Sequence, residues 1–256
     1  MGYNQHNFDW SLTDRKIAVF IPNYRRKIYV EATMRYFKTR LNPSDYIIVV
    51  GNDGVDEDFS RLSSSNVVSF TLTRHPGPRN GCFIRNFFIR RCKSKVIFQR
   101  DPEIIITEDF MSKIADLNAN SVYRVGRAIK TEMKIGKMLL RGIDRNRIPA
   151  LKSSFRRIDP GKGTFLHWGF AAPTALLQEM HGYDEGYLEY GYEDTDLFSR
   201  LLNRGVAFNC DFDTYAIHMW HPTDVDIKGS QERMKRLFHQ KCSSVFVRNG
   251  ESWGNG

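Results

Sequence analysis

The chain has 256 residues and a formal net charge of +9, with 41% hydrophobic and 13% aromatic residues. That balance excludes a disordered chain and fits one large α/β domain or two small ones. No apolar run approaches the length of a membrane span. The start MGYNQHNFDW has neither the charged end nor the apolar stretch of a secretory signal, and His6 breaks the myristoylation pattern. Cys82, Cys92, Cys210 and Cys242 lie far apart with no C-x-x-C, which reads as reduced thiols in a cytoplasmic protein. The charge is uneven: between Lys130 and Gly163 ten Lys or Arg face only Glu132, Asp144 and Asp159. Such a segment suits a polyanionic partner or the diphosphate of a nucleotide.

In chain order, Lys16–Pro22 (KIAVFIP) reads as a buried strand ending on proline, followed by an amphipathic helix to about Lys38. Tyr46–Gly51 (YIIVVG) is a second buried strand, closed by the Asn52-Asp53-Gly54 turn signal. Val67–Leu72 is a third strand, Gly81–Cys92 a helix rich in Phe, Ile and Arg, and Lys95–Gln99 a fourth strand running into Asp101-Pro102-Glu103. Strands alternating with helices predict a doubly wound, mostly parallel central sheet with helices on both faces. Ligands of such sheets bind beyond the carboxyl ends of the strands, where Tyr24, Asp53 and Asp101 fall. Further on, Tyr215–Pro222 (YAIHMWHP) reads as a strand, and the tail from Asn249 to Gly256 as a frayed end.

Asp101 and Glu103, spaced i, i+2 after an apolar strand, offer the hard oxygens that Mg2+ or Mn2+ prefers; an Asp-Pro turn without metal is the alternative. His218 and His221 are three apart, so on a regular strand they point to opposite faces and one of them reaches the metal unless the backbone bends. His221 is favoured, with His218 as the alternative. The stretch Gly182–Leu202 crowds Glu193, Asp194 and Asp196 onto the start of a helix whose apolar face is Leu197, Leu201 and Leu202. Acids there cap a helix, but the glycine-aromatic pairs in front of them look more like a platform for a planar or sugar-like ligand.

Gly191-Tyr192-Glu193-Asp194-Thr195-Asp196-Leu197 with Arg200-Leu201 resembles the acceptor-side motif of inverting glycosyltransferases of the GT-A fold, especially the β-1,4-galactosyltransferase and chondroitin-polymerase-like group. Four further stretches resemble that family in its own order: Pro22-Asn23-Tyr24-Arg25-Arg26, Arg85-Asn86, Asp101-Pro102-Glu103 and the closing His-x-x-His-Pro. The resemblance implies a single GT-A domain over 1–248, with a nucleotide-binding half (1–110), an acceptor half (111–248) containing the basic loop 130–163, and a flexible tail (249–256). It implies a metal-dependent enzyme moving a sugar from a nucleotide-sugar, with UDP as nucleotide, to an acceptor hydroxyl with inversion. Pro22, Tyr24, Arg25, Asp53, Arg85 and Asp101 would hold the donor. Asp101, Glu103 and His221 (or His218) would hold Mn2+ or Mg2+. Asp194 would be the base, with Glu193 beside it; Trp168, Gly169, Tyr192 and Glu193 would meet the acceptor, and the basic loop would fold over the donor.

The basic charge favours two competing readings: a nucleic-acid-binding module without enzyme activity, or a transferase whose glycan or other hydroxyl acceptor is itself a polyanion such as modified DNA. The first leaves the strand-end acids unexplained, since they would repel phosphate.

Overall fold

A computed structural model describes residues 2–4, 7–55, 57–73, 81–143, 156–157, 169–222, 226–241 and 245–255. Its strands are β1 (Gly2–Asn4), β2 (Ile17–Asn23), β3 (Tyr46–Asp53), β4 (Val67–Leu72), β5 (Val96–Gln99), β6 (Ile104–Ile106), β7 (Ser121–Lys130), β8 (Arg156–Arg157), β9 (Phe170–Pro173) and β10 (Ala207–His218). The helices are α1 (Lys27–Arg35), α2 (Cys82–Arg91), α3 (Phe110–Ile114), α4 (Met133–Leu140), α5 (Thr174–Glu179), α6 (Glu193–Asn203) and α7 (Ile227–Gln240).

The strands form one sheet in the order β1-β4-β3-β2-β5-β9-β7-β10-β6, with β8 on β7. Every pairing among β1 to β5 is parallel, as is β7 with β10, while β9 runs antiparallel to both β5 and β7 and β6 antiparallel to β10. The sheet is thus mostly parallel, and its central strands are apolar at consecutive positions because both faces are covered. Ala18, Phe20 and Val49 pack with Ile84 and Phe88 of α2, Leu177 of α5 and Leu197 and Leu201 of α6. Ile17, Val19, Ile21, Ile48 and Val50 pack on the opposite face with Val30 of α1 and Phe110 and Ile114 of α3.

α1 stops at Arg35, short of the expected Lys38, and β10 begins earlier than expected and ends at His218. Cys82, Cys92 and Cys210 are free thiols, and Cys242 lies outside the described residues. No helix among the described residues is long and apolar enough to cross a membrane.

The tail is the clearest departure from expectation. Instead of fraying, residues 249–255 pack against α2 and the turn after α5. Trp253 is buried and stacks on His181 at 5.2 Å between ring centres. Arg90 donates to the carbonyls of Glu251 and Trp253, and Arg91 to that of Gly254 at 2.7 Å. Asn249 Nδ2 donates to the carbonyls of His181 and Tyr183 at 2.7 and 2.6 Å. The polar composition of NGESWGNG concealed this because its partners, two arginine side chains and a set of turn carbonyls, are distant in sequence.

Candidate active site

The carboxyl ends of β2, β3 and β5 meet at one edge of the sheet. Asn23 Nδ2 donates to Asn52 Oδ1 at 2.7 Å and to Glu57 Oε2 at 2.6 Å, tying the ends of β2 and β3 together. Asn23 Oδ1 accepts from the Arg26 backbone N–H at 3.1 Å, which turns the chain into α1. Pro22 is buried in β2 and Asp53 at the end of β3. Tyr24 and Arg25 stand exposed beside them, the guanidinium 5.2 Å from the ring centre. This edge offers a planar ring, a cation and a carboxylate within one surface.

Next to it, the turn after β5 carries Asp101 and Glu103, which have separate partners. Asp101 Oδ1 accepts from Arg85 Nη2 at 3.0 Å. Arg85 reaches it from α2 because Gly81 leaves room: a Cβ there would stand 2.6 Å from Arg85 Nη1. Burial works against the Arg85 cation, but Tyr183, Asp101, Asp194 and Glu193 outweigh it, and the guanidinium stays charged well above its ordinary range.

Glu103 instead meets both histidines. Its Oε1 lies 3.0 Å from His221 Nε2 and 3.7 Å from His218 Nε2. The registry of β10 with β6 sets His218 opposite Ile104, one residue from Glu103. The strand then ends, the Met219 N–H donates to the Glu103 carbonyl at 3.0 Å, and the departing chain brings His221 round to the same carboxylate. The backbone bend needed for both histidines to converge is therefore present. Glu103, His218 and His221 can present one ligand atom each, all within 4.8 Å of one another. Asp101 stands outside that group, paired with Arg85. Burial opposes ionisation of Glu103, yet the hydrogen bond from His221 and the nearby histidine and Arg26 charges hold its carboxyl well below the usual range. Burial lowers His218 to about 4. An ionised carboxylate beside a neutral imidazole suits a divalent cation that accepts nitrogen and oxygen donors, as Mn2+ does.

Facing this cluster is the start of α6. Gly191 (φ 112°) and Tyr192 (φ 68°) form a tight positive-φ turn that leads directly into α6. Glu193 is buried and its Oε2 accepts from the Gly191 N–H at 2.9 Å. Asp194, beside it, accepts from the Tyr183 hydroxyl. Burial pushes both carboxyls well above the usual range; Asp194 adds to this for Glu193 and Asp101 for Asp194, while Arg85 pulls both back. Groups poised in this way can exchange a proton near neutrality.

Asp196 has a different job. Its carboxylate receives Arg200 Nε at 2.7 Å, and Arg200, fully buried, also donates to the carbonyls of Gly182 and Phe246 at 2.9 Å each. The acid crowd thus divides into two cleft residues and one anchor. Tyr192 turns its ring toward Phe238 of α7, 5.6 Å between centres. Gly169, at φ 125°, leads into β9, and its carbonyl accepts from the Val125 N–H at 3.2 Å. Trp168 lies outside the described residues, as do 144–155 and 158–163 of the basic segment.

The sequence reading missed Tyr183 and Gln99, and placed Tyr190 only in the aromatic platform ahead of the acids. Tyr190, exposed at the cleft mouth, feels the charges of Glu193, Asp101, Asp194 and Glu103. The Tyr183 hydroxyl accepts from Gln99 Nε2 at 2.7 Å inside the core. Its place directly after Gly182 in the motif was the available signal.

A mostly parallel sheet with a carboxylate–histidine cluster and an acid pair beyond its strand ends has the GT-A type of fold, and the proteins this chain is similar to are glycosyltransferases. A family model described as the N-terminal domain of galactosyltransferase matches residues 170–221. The uncharacterized glycosyltransferase YfnE of Bacillus subtilis (strain 168) is 20% identical over 258 residues, covering 82% of this chain and 66% of that protein. In fold, S. aureus TarS superposes with a TM-score of 0.56 at 12% identity, over 91% of this chain and 44% of that one. Mannosyltransferase PcManGT from Pyrobaculum calidifontis, solved with GDP-Man and Mn2+, gives 0.51 at 13% identity, over 86% of this chain and 63% of that one. The chain therefore spans less than two thirds of each of these relatives.

Proposed function

We propose that this chain transfers a sugar from a UDP-sugar to the hydroxyl of a glycan acceptor with inversion, in the manner of the β-1,4-galactosyltransferase and chondroitin-polymerase-like group. The observation that carries the reading is the closeness of the Glu103–His218–His221 cluster to the Glu193–Asp194 pair, since Tyr190 lies within reach of the charges of Glu193, Asp101, Asp194 and Glu103 together. The family match over 170–221 supports it, since that span holds both the acid pair and the two histidines.

Glu103, His218 and His221 would hold Mn2+ or Mg2+, which supplies positive charge to a departing diphosphate. Tyr24 offers the base a stacking face, Asp53 a hydrogen-bond acceptor and Arg25 a cation for phosphate. Asp194 takes the proton of the acceptor hydroxyl as its oxygen bonds to the anomeric carbon. The bond from that carbon to the phosphate oxygen breaks, and its electron pair leaves with the nucleotide. Glu193 and Tyr192 border the acceptor side. Arg85, between Asp101 and the acid pair, keeps three carboxyl groups from repelling one another.

The test couples binding to turnover. UDP with Mn2+ should raise the melting temperature, and EDTA or Glu103→Gln should abolish the shift. Asp194→Asn should preserve it while lowering transfer by on the order of 10²–10⁴-fold. Stabilisation by UDP that is indifferent to EDTA would remove the metal from this reading, and near-normal turnover in Asp194→Asn would remove the base.

A further inference from the structure

We propose that Tyr183, fixed by Gln99, Asn86 and Asn249, is the positioning residue that aims the Asp194 carboxylate at the acceptor hydroxyl. The inference rests on Asp194 being the base and adds how that base is held.

A tyrosine hydroxyl has one proton to give. In this core Gln99 Nε2 donates to the Tyr183 oxygen at 2.7 Å, so the hydroxyl proton is directed onward to Asp194. The ring has no freedom to redirect it, since Tyr183 is fully buried and the Arg85 guanidinium lies 5.3 Å from its ring centre. The backbone is pinned as firmly. The Tyr183 N–H donates to Asn86 Oδ1 at 2.8 Å, and its carbonyl accepts from Asn86 Nδ2 at 2.8 Å and Asn249 Nδ2 at 2.6 Å. Asn86 can come this close only because residue 182 is glycine: at φ 64° a Cβ there would lie 2.2 Å from Asn86 Oδ1.

The groups facing Asp194 are Arg85 from α2, Asp101 from the turn after β5, Glu193 on its own helix, Tyr190 at the cleft mouth and Tyr183. Of these, Arg85 also serves Asp101 and Glu193, and Tyr190 is exposed. Tyr183 is the neutral donor buried behind the carboxylate. A fixed donor on one oxygen leaves the other to receive a proton, and misplacement of a catalytic group by about 1 Å can cost about 10²-fold in rate. The tail that binds Asn249 to this tyrosine thereby belongs to the support of the site.

The experiment follows UDP release from whichever UDP-hexose the unaltered chain hydrolyses fastest, with UDP–Mn2+ affinity measured alongside by calorimetry. Tyr183→Phe keeps the ring and removes the donor. Its kcat should fall about 10–100-fold while UDP–Mn2+ affinity stays within about twofold. The acidic limb of its pH profile should move to higher pH, because the lost hydrogen bond favoured the ionised carboxylate. Added to Asp194→Asn, Tyr183→Phe should cost nothing further, since it acts through Asp194. Gln99→Met, which frees the hydroxyl without removing it, should lower kcat by less and move the limb in the same direction; it decides the matter if Tyr183→Phe does not fold. An unchanged kcat and pH limb, or an equal loss with and without Asp194, would overturn the proposal. Near-normal turnover in Asp194→Asn alone would instead sink the assignment of the base.

Discussion

Asp194 and Asp196 stand two residues apart in one motif, and their replacement should have opposite consequences. Asp196 receives Arg200 Nε at 2.7 Å and lies 3.8 Å from Arg248 Nη2, with Arg200 fully buried. Burial raises the Asp196 carboxyl above its ordinary value despite Arg200, so the ion pair does not fully repay its own desolvation. Asp196→Ala nevertheless strands a buried guanidinium, a situation that costs about 3–5 kcal/mol. For a chain of this size that corresponds to a melting temperature lower by roughly 6–20 °C. Asp194→Asn removes one of two carboxyls that burial and mutual repulsion already disfavour, so stability should hold or rise. The assay is urea unfolding of both variants followed by far-UV circular dichroism, with UDP release measured on the same preparations. A loss below about 1 kcal/mol in Asp196→Ala, accompanied by abolished turnover, would place Asp196 in the chemistry and refute its role as an anchor.

Acidity should act on rate and stability in opposite senses. Asp194 and Glu193 are pushed up to about 7 by burial, so UDP release should fall about tenfold per pH unit below that value, read from kcat/KM profiles. A carboxyl raised in the folded state contributes stability that is complete below its unfolded value, about 4, and is lost as pH rises through about 7. Urea titrations at constant ionic strength should show this pair's contribution declining over that window. On the proposed metal role, Glu103→Gln, His218→Ala and His221→Ala should each weaken Mn2+-dependent UDP binding in calorimetry more than Asp101→Ala does; the reverse ranking would make Asp101 the main ligand. Trp253→Ala should cost roughly 3–5 kcal/mol of unfolding free energy, and a value near zero would mean the tail is free in solution.

The parts of this fold that were legible in the sequence are those whose pattern is local. β2, β3 and β5 are apolar without alternation because both faces are covered, and the helices between them follow from that. β6 and β9, with three and four residues, carry too little pattern to be read. The acids and histidines of the site were visible as types and spacings, but their partners were not. His218 and His221 looked like residues of opposite faces because nothing in YAIHMWHP marks the strand's end at His218. The pairing of Asp101 with Arg85 was not visible because Arg85 comes from α2, well before the turn that holds Asp101. Asp196 resembled its neighbours until Arg200, one turn on, proved to be buried. The tail read as frayed because Trp253 stacks on a histidine far back in the chain. In each case the deciding group was remote in sequence or its burial was unknown.

Strand β9 has a consequence for how this molecule assembles. Its four residues pair with β5 through Val96–Pro173 and Gln99–Phe170, and with β7 through Tyr123–Ala171 and Arg124–Phe170. It is the strand that joins the β1–β5 ladder to the ladder of β7 and β10. These pairings are non-local, and ladders of that kind form late because the chain must close long loops before any contact rewards it. Asn23 and Asp53, at the ends of β2 and β3, ride on one ladder and His218 rides on the other. Pairing of β9 with both β5 and β7 fixes the two ladders relative to one another, so on the proposed function a chain lacking it would bind neither donor nor acceptor productively.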